Sequence, residues 1–287
     1  MSESKKTLRR LVNERRGVIV PGAFNAMSAR CIVEAGFEAV FITGAGVTNM
    51  NLGMPDLSFM GLHEMAEQTQ RIRDVVDVPV IVDIDTGFGN PVNTYHTVQR
   101  LERAGADAFQ LEDQIFPKKC GHFNGKGVVE TGEMLSKIKA AVDARRDENL
   151  VIIGRTDAAA VHGFDAAIER AQQFGEAGAD ILFVEAVEAE VDIRRIPKLL
   201  DKPLLINIVI GGKTPALTAK DFGAMGFSIV LYANAALQGA VTGMSRALGV
   251  LKQDGILHED RDLVTPFKER QRLVNKPFYD ELEQRYK

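Results

Sequence analysis

Eight short apolar runs alternate with longer amphipathic stretches along the chain. The runs are almost continuous in apolar character, which is typical of strands in a parallel sheet covered by helices on both faces. The predicted strands are Val18–Val20, Ala39–Ile42, Val78–Val82, Ala108–Leu111, Leu150–Ile153, Ile181–Val184, Pro203–Ile206 and Ser228–Leu231. The predicted helices between them include Leu62–Asp77, Thr94–Ala104, Glu133–Arg146 and Ala166–Ala177. A strand-helix unit repeated eight times predicts an α/β fold of the (β/α)8 TIM-barrel type.

The alternation of predicted strands and helices runs along the chain without a linker, and this sets the predicted domain organisation. No Pro- or Ser-rich linker divides the sequence, so we predict a single domain over residues 1–287. Its last part, residues 265–287, carries Phe267, Leu273 and Phe278 on a charged background, as expected of an amphipathic helix that packs on a partner surface. That surface lies either within the same chain or on another subunit.

Polar residues follow the predicted strands at the ends where barrel enzymes build their active sites. Each strand changes abruptly from apolar to charged, hydroxyl or amide residues, which predicts one shared polar pocket. The residues at these ends include Thr43, Asp83, Asp85, Glu112, Arg155, Glu185 and Asn207.

Three carboxylates in this set predict a metal site. Asp83 and Asp85 are two positions apart on a strand, so both side chains should face the same way, and Glu112 ends the next strand. Such oxygen ligands suit Mg²⁺ or Mn²⁺ rather than zinc. Asp56, in the loop after the second strand, could join through water. An Asp-x-Asp pair alone also occurs in turns and helix caps.

The segment Lys118–His122, with the sequence KKCGH, places a thiol next to two ammonium groups and an imidazole. This positive field favours the thiolate, so Cys120 is a candidate nucleophile or proton donor. The alternative is a solvated basic loop with an incidental cysteine. The second cysteine, Cys31, falls on a predicted helix, where we expect it to contribute to packing.

Composition limits the classes of partner. The 287 residues are 45% hydrophobic and 26% charged, with a formal net charge of -4, as in a globular protein without a basic footprint for nucleic acid or a membrane surface. Residues 1–16 lack an apolar signal core, and no run approaches a membrane span of about 20 residues. Two cysteines in a long chain suit a reducing compartment. We therefore expect a cytoplasmic protein with a small-molecule ligand.

These motifs together resemble the isocitrate lyase and phosphoenolpyruvate mutase superfamily, from about Leu8 to the C-terminal segment. The stretches that carry the resemblance are Val82–Gly89, Glu112–Gln114, Lys118–His122 and Arg155–Asp157. The resemblance implies a barrel with a displaced eighth helix swapped between paired subunits, a homotetramer formed as a dimer of helix-swapped dimers, and Mg²⁺ that binds an α-keto or α-hydroxy acid.

The resemblance also implies a role for each site residue. Asp83 and Asp85 match the central metal ligands, and Asp56 and Glu112 match carboxylates that act through bound water. Arg155 matches an arginine that steadies an oxyanion, and the lid residues Lys118, Cys120 and His122 match a gate that closes over substrate, with Cys120 as the proton donor. Substrate-contact positions are matched by Phe41, Thr43, Gly44, Ala45, Glu185 and Asn207.

The implied reaction is Mg²⁺-dependent cleavage of a 2-hydroxy di- or tricarboxylate to pyruvate and a second carboxylate. In this sequence Val209 and Ile210 stand where 2-methylisocitrate lyases carry a hydroxyl and a carboxylate residue, which favours methyl-bearing substrates such as 2,3-dimethylmalate. Alternatively, both residues face the barrel wall. The remaining alternatives are a carboxyphosphonoenolpyruvate-type phosphonomutase, an oxaloacetate hydrolase or decarboxylase, and a non-enzymatic binding barrel.

Overall fold

The computed structural model describes residues 3–119, 121, 125–215, 217–259 and 262–287. Its strands form a closed parallel barrel in which each strand pairs with its neighbours in sequence and the last pairs with the first. The strands are β1 Val18–Ala23, β2 Val40–Ile42, β3 Val80–Asp83, β4 Ala108–Glu112, β5 Val151–Thr156, β6 Ile181–Val184, β7 Leu204–Asn207 and β8 Ile229–Tyr232. All eight predicted strands and the predicted barrel are confirmed.

Helices follow the strands around the barrel, and their ends are set by local capping. Asn90 accepts hydrogen bonds from the backbone N-H groups of Val92 and Asn93, and Pro91 occupies the first helical position, so α5 begins three residues before its predicted start. The helices up to β8 are α1 Glu3–Asn13, α2 Ala26–Glu34, α3 Gly44–Leu52, α4 Leu62–Arg73, α5 Pro91–Arg103, α6 Thr131–Ala144, α7 Ala159–His162, α8 Phe164–Glu176, α9 Glu190–Ile193, α10 Ile196–Leu199 and α11 Ala219–Met225.

The buried apolar side chains form two clusters. One fills the barrel interior with residues such as Phe41, Ile81 and Phe183, and α1 adds Leu8 and Leu11 to it. The other lies between the strands and the surrounding helices. Because apolar side chains occupy both faces of most strand positions, the polar residues are concentrated at the strand ends, with Gln110 inside β4 as an exception.

Several strands run past their predicted ends and carry the polar residues with them. Asp83, Glu112 and Asn207 are the last residues of β3, β4 and β7. The register pairs Glu112 with Arg155 of β5. The predicted polar rim is therefore built on paired strands, which hold its side chains in fixed relative positions.

Asp85 differs from the prediction. Strand β3 ends at Asp83, and Asp85 follows it in a left-handed conformation with φ 47°. The reasoning from two-residue strand periodicity was therefore wrong, because the chain turns immediately after Asp83.

Cys31 is also placed differently from the prediction. It lies on α2, but on the outer face, and it is exposed. The buried face of this helix is formed by Ser28, Ala29 and Ile32. Burial and the nearby charge of Glu34 raise the pKa of the Cys31 thiol. Cys31 therefore does not pack into the core.

The chain divides into two compact units, Met1–Ala235 and Ala236–Lys287. The first contains the barrel and every site residue discussed below. The second contains α12 Ala235–Asp254 except for its first residue, together with α13 Phe267–Leu273 and α14 Lys276–Arg285. The C-terminal segment is thus helical, as predicted, but in two pieces. The single-domain organisation stays a prediction. In the parts of the chain that the structure describes, no helix is long and apolar enough to span a bilayer.

Candidate active site

Asp83 and Asp85 converge on one point although only Asp83 belongs to a strand. A methyl group at Gly44 would lie 3.2 Å from Oδ2 of Asp83 and 3.4 Å from Oδ1 of Asp85. The backbone N-H of Asp85 donates to Oδ1 of Asp83 at 3.2 Å, which fixes the turn. Both carboxylates are buried. The left-handed conformation of Asp85 therefore brings the two carboxylates together, as strand periodicity was expected to do.

Lys118 occupies the centre of the carboxylate cluster. Its ammonium nitrogen donates to both carboxylate oxygens of Asp56 at 2.8 Å and lies 2.9 Å from Oδ1 of Asp85. The lysine side chain is only 4% exposed. Burial by itself would lower the pKa of Lys118, but Asp85, Asp83 and Asp56 outweigh it and raise that pKa well above its usual value. The lysine is therefore a buried cation held by predicted metal ligands.

Arg155 is held by three carboxylates on the neighbouring side of the rim. Its Nε donates to Asp157 at 2.9 Å, Nη1 lies 3.1 Å from Oε2 of Glu112, and Nη2 lies 3.4 Å from Oε2 of Glu185. The guanidinium carbon also lies 5.3 Å from the centre of the Phe183 ring. These contacts fix the orientation of the guanidinium, as a group that stabilises a developing oxyanion requires.

Burial and charge shift the pKa values of the acidic residues in different directions. Burial raises the pKa of Asp85 to about 7 despite the opposing effect of Lys118. Burial also raises the pKa of Glu112 well above its usual value, although Arg155 opposes it. For Asp157, burial would raise the pKa, but Arg155 and Lys126 prevail and lower it. Burial therefore favours the neutral forms of Asp85 and Glu112, whereas Arg155 and Lys126 favour the ionised form of Asp157.

The start of α3 offers a second kind of polar group. Thr43 caps this helix, and its hydroxyl accepts a hydrogen bond from the N-H of Gly46 at 3.3 Å. The N-H of Gly44 points toward Oδ2 of Asp83 at 3.4 Å. The positive end of the helix dipole favours an anion at such a position, although the N-H groups of Thr43 and Gly44 already donate to Ala23 and Asp83. The geometry therefore fits the predicted carboxylate contact of Thr43, Gly44 and Ala45.

A small buried cavity joins these groups. Its volume is about 40 Å³, room for roughly three waters at 10–15 Å³ each by this measure. Its walls include nine predicted site residues and several that were not predicted. They are Phe41, Thr43, Ala45, Asp56, Asp83, Gln110, Lys118, Lys119, Gly121, Arg155, Glu185, Asn207, Val209, Leu231, Ala233 and Asn234. A dicarboxylic acid is larger than three waters, so its entry requires that part of this wall move.

The gate segment is defined here as residues 118–126, of which the structure describes 118, 119, 121, 125 and 126. Lys118, Lys119 and Gly121 line the cavity. A methyl group at Gly121 would lie 2.5 Å from Nη2 of Arg155 and 2.6 Å from Cγ of Glu185, so the Gly121 main chain rests directly on both side chains. Gln114 holds the near flank through two hydrogen bonds with the Lys119 backbone. Cys120 and His122 lie outside the described residues.

Glu185 and Asn207 lie side by side, as their predicted substrate contacts require. The amide nitrogen of Asn207 donates to Oε2 of Glu185 at 3.4 Å. The amide oxygen of Asn207 is buried and accepts no hydrogen bond from the described residues, and the same holds for Oε1 of Gln110. Buried acceptors without donors are costly unless a ligand or water satisfies them.

The donor set fits a hard divalent cation. Oε1 of Glu112 is buried and accepts no hydrogen bond from the described residues, and Oδ1 of Asp85, also buried, lies 2.9 Å from the Lys118 ammonium. Carboxylate oxygens of this kind suit Mg²⁺ or Mn²⁺. In the described part of the chain, however, no three carboxylate, imidazole or thiol groups form a preformed metal cage. A cation could use these oxygens once the Lys118 ammonium withdraws.

Sequence reasoning did not predict roles for Gln110 and Lys126. The amide nitrogen of Gln110 lies 3.5 Å from Oδ1 of Asp83, and a glutamine inside an apolar strand was a signal that could have identified it. Lys126 donates to Oδ1 of Asp157 at 2.6 Å. Its position shortly after KKCGH carries no local signal, because its partner is 31 residues away in sequence.

Comparisons with known proteins identify the family. A family model described as phosphoenolpyruvate phosphomutase matches residues 8–251. The chain therefore belongs to the phosphoenolpyruvate mutase and isocitrate lyase superfamily, and the predicted resemblance is confirmed.

Two curated relatives match most of the chain. It is 40% identical over 279 residues to 2,3-dimethylmalate lyase from Eubacterium barkeri, which covers 97% of this chain and 96% of the relative. It is 48% identical over 225 residues to 2-methylisocitrate lyase from Aeropyrum pernix, which covers 78% of this chain and 72% of the relative.

Solved structures share the fold. A crystal structure of 2,3-dimethylmalate lyase superimposes with a TM-score of 0.93 at 35% identity, covering 100% of this chain and 96% of that one. A crystal structure of phosphonopyruvate hydrolase in complex with oxalate and Mg²⁺ superimposes with a TM-score of 0.87 at 30% identity, covering 99% of each chain.

Proposed function

We propose that the protein is a Mg²⁺-dependent lyase that cleaves the C2–C3 bond of a 2-hydroxy di- or tricarboxylate, of the 2,3-dimethylmalate or 2-methylisocitrate type, to pyruvate and a second carboxylate. The observation that carries this proposal is the cavity shared by Asp83, Lys118 and Arg155, whose wall also includes Lys119 and Gly121 of the KKCGH sequence. Family membership and the names of both relatives support it.

The carboxylate cluster would hold the metal. Asp83 and Asp85 are the proposed inner ligands, and Asp56 and Glu112 would act through water. When bound, Mg²⁺ supplies Lewis-acid stabilisation of negative charge at the 2-oxygen of the substrate. The Lys118 ammonium lies 2.9 Å from Oδ1 of Asp85, so a cation held by this carboxylate would compete with the lysine.

The protein groups provide orientation and charge stabilisation. The start of α3, at Thr43, Gly44 and Ala45, would bind the C1 carboxylate, and Phe41 lines the cavity beside it. Glu185 and Asn207 would contact the substrate from the opposite wall. A base would take the proton of the 2-hydroxyl group, and Arg155 would stabilise the negative 2-oxygen while the C2–C3 bond breaks. The 2-oxygen becomes the carbonyl oxygen of pyruvate, and the bonding electron pair passes to C3. The position of Arg155 is fixed before the reaction by carboxylates, which reduces the reorganisation needed in the transition state.

Cys120 would complete the reaction as general acid. Bond cleavage leaves the C3 fragment as a carbanion, and the thiol proton of Cys120 would be transferred to that carbon. Lys118 and His122 would tune the acidity of the thiol, and the resulting thiolate would be reprotonated before the next turnover. Closing the gate segment would bring this acid to the substrate and exclude water.

The apolar wall favours a methyl-bearing substrate. Val209 lines the inner cavity next to Leu231 and Ala233. Ile210 is 53% exposed and borders only the neighbouring outer cavity of about 550 Å³. We therefore assign substrate discrimination to Val209 alone. An apolar side chain at this position would accept a methyl group and disfavour a third carboxylate, which would lack a polar partner there.

A substrate panel tests the proposal. The purified protein with Mg²⁺ is incubated with 2,3-dimethylmalate, 2-methylisocitrate, isocitrate, oxaloacetate and phosphonopyruvate, and pyruvate, glyoxylate and oxalate are measured. We expect pyruvate from 2,3-dimethylmalate at the highest kcat/KM. A Val209→Thr variant should move the preference toward 2-methylisocitrate, while Ile210→Thr should not. Oxalate from oxaloacetate alone, or turnover of phosphonopyruvate alone, would reject the lyase proposal.

A homotetramer of helix-swapped dimers is proposed as the assembly. The second unit supports this, because α12 exposes Val241, Met244, Leu248 and Leu251 along one helical face. The spacing of these residues is that of a helix-packing seam, and such a seam needs an apolar partner. A cytoplasmic location is also proposed, on the basis of composition and the two cysteines.

A further inference from the structure

Lys126 connects the gate segment to the site beneath it. Its ammonium donates to Oδ1 of Asp157 at 2.6 Å and also to the main-chain carbonyl of Gly121. The side chains of Lys126 and Asp157 are 2% and 0% exposed. A fully buried ammonium with these two partners is a fixed crosslink, unlike an exposed ion pair.

Asp157 transmits this link to Arg155. Its Oδ2 accepts from Nε of Arg155 at 2.9 Å, and its Oδ1 accepts from Nη2 at 3.2 Å. Oδ1 is thus shared between the lysine and the arginine. The main chain of Asp157 is also held in place, because its backbone N-H donates to Oδ1 of Asp113 at 2.9 Å. The carboxylate therefore has a fixed position from which it orients both cations.

Gly121 contacts both Arg155 and Lys126. Its main chain touches Nη2 of Arg155, and its carbonyl is the second acceptor of Lys126. The lysine therefore contacts both the residue that lies on the guanidinium and the residue that holds it. Lys126 and Gly121 belong to the same segment, so if that segment lifts, the Lys126 ammonium leaves Asp157, and Arg155 then loses the lysine that shares this carboxylate.

We propose that Lys126 is a positioning residue that couples the seating of the gate segment to the orientation of Arg155. It touches neither substrate nor reacting atoms in this role and acts through Gly121 and Asp157. This proposal rests on the proposed function at one point, the action of Arg155 on the substrate. The mechanical link between gate segment and Arg155 is independent of the reaction.

Hydrogen exchange tests the link without any substrate. Exchange of backbone amides in a peptide spanning 114–127 is compared between the wild type, Lys126→Met and the control Lys137→Met. Lys137 is also a buried lysine, because its side chain is only 5% exposed. Its ion pair is with Glu133, which contacts neither Arg155 nor Asp157 in the ion pairs described above. We expect exchange at least about tenfold faster in Lys126→Met and unchanged in Lys137→Met, because only the former loses a crosslink.

Kinetics test the effect on Arg155. Lys126→Met should lower kcat by roughly 10- to 100-fold with a small change in KM, since misplacing a positioned group costs the transition state more than substrate binding. Lys126→Arg, which keeps the charge, should recover most of the protection and rate. Wild-type exchange in a folded Lys126→Met, or equal losses in Lys137→Met, would overturn the proposal.

Two further outcomes are also decisive. If Lys126→Met fails to fold, Lys126→Gln is judged by the same two measurements, with strand β5 as the internal reference for an intact barrel. If the wild type cleaves none of the acids in the panel, the proposed function fails. The exchange comparison still decides whether Lys126 holds the gate segment.

Discussion

The ammonium nitrogen of Lys118 lies 2.8 Å from each carboxylate oxygen of Asp56. The same nitrogen reaches Asp85, so one buried lysine of the gate segment bridges two predicted metal-site carboxylates. A divalent cation bound as proposed would therefore compete with this ammonium for the carboxylates of Asp56 and Asp85. Occupation of the metal site and the position of the gate segment should consequently depend on each other.

Removing the Lys118 charge should change the response of the protein to Mg²⁺. Lys118→Met should lose about 3–5 kcal/mol of stability without metal, because the buried carboxylates then lack their cation. Added Mg²⁺ should raise the Tm of this variant more than that of the wild type, where the cation must first displace the lysine. Thermal unfolding with and without Mg²⁺ measures this, with Lys137→Met as control. An equal Mg²⁺ shift in all three proteins would contradict the account.

Gly121 should tolerate no side chain. In Gly121→Ala the new methyl group would lie 2.5 Å from the Arg155 guanidinium, so the gate segment must shift. We expect kcat/KM to fall by about 100-fold, the cost typical of a displaced catalytic constellation. Gly132→Ala is the matched control, because a methyl group there meets no atom within 4 Å. Similar activity in both variants would show that the segment does not bear on Arg155 during turnover.

Cys120 should act after the metal site is filled. Cys120→Ser should lower turnover by roughly 10²- to 10⁴-fold, as expected when a general acid is lost. Binding of Mg²⁺ and pyruvate, measured by calorimetry, should remain close to that of the wild type. Cys31→Ser provides the control, because Cys31 is exposed on the outer face of α2. Parallel losses of binding and turnover in Cys120→Ser would refute the assignment as proton donor.

The sequence predicted the barrel well because its signals are local. A buried parallel strand requires a continuous apolar run, and a run such as Ile181–Val184 can be recognised from a few consecutive residues. The same logic located the rim, since polar residues directly follow those runs. It failed at Asp85, where a left-handed residue replaced the assumed strand geometry, and at Cys31, where the helix was recognised but the face was not.

The parts of the site that sequence could not predict depend on distant contacts. Lys118 was expected to tune a thiol, but its described contacts are with Asp56, 62 residues earlier, and with Asp85. Lys126 finds Asp157 only because β5 and the gate segment meet above the barrel. The residue types indicated which chemical groups the site contains. Which charged groups pair with each other depends on the tertiary structure.

The exposed apolar face of α12 should be an interface between subunits. Leu248 is 62% exposed, so Leu248→Glu should leave the barrel intact but disrupt the assembly. Light scattering should show the mass fall from four times the 31.4 kDa chain toward a single chain. Gln253→Glu, also exposed on α12, should keep the wild-type mass. A monomeric wild type, or an unchanged mass in Leu248→Glu, would reject the proposed helix-swapped tetramer.

Cleavage of 2,3-dimethylmalate in D₂O tests the central claim most directly. Proton NMR should show pyruvate and propionate in equal amounts, dependent on Mg²⁺ and abolished by a chelator, with a single deuterium at C2 of the propionate. That label is the expected trace of a carbanion protonated by an exchangeable acid. Absence of both products, with the substrate recovered intact at saturating Mg²⁺, and the same result with 2-methylisocitrate, would contradict the assignment of this site to carbon-carbon cleavage.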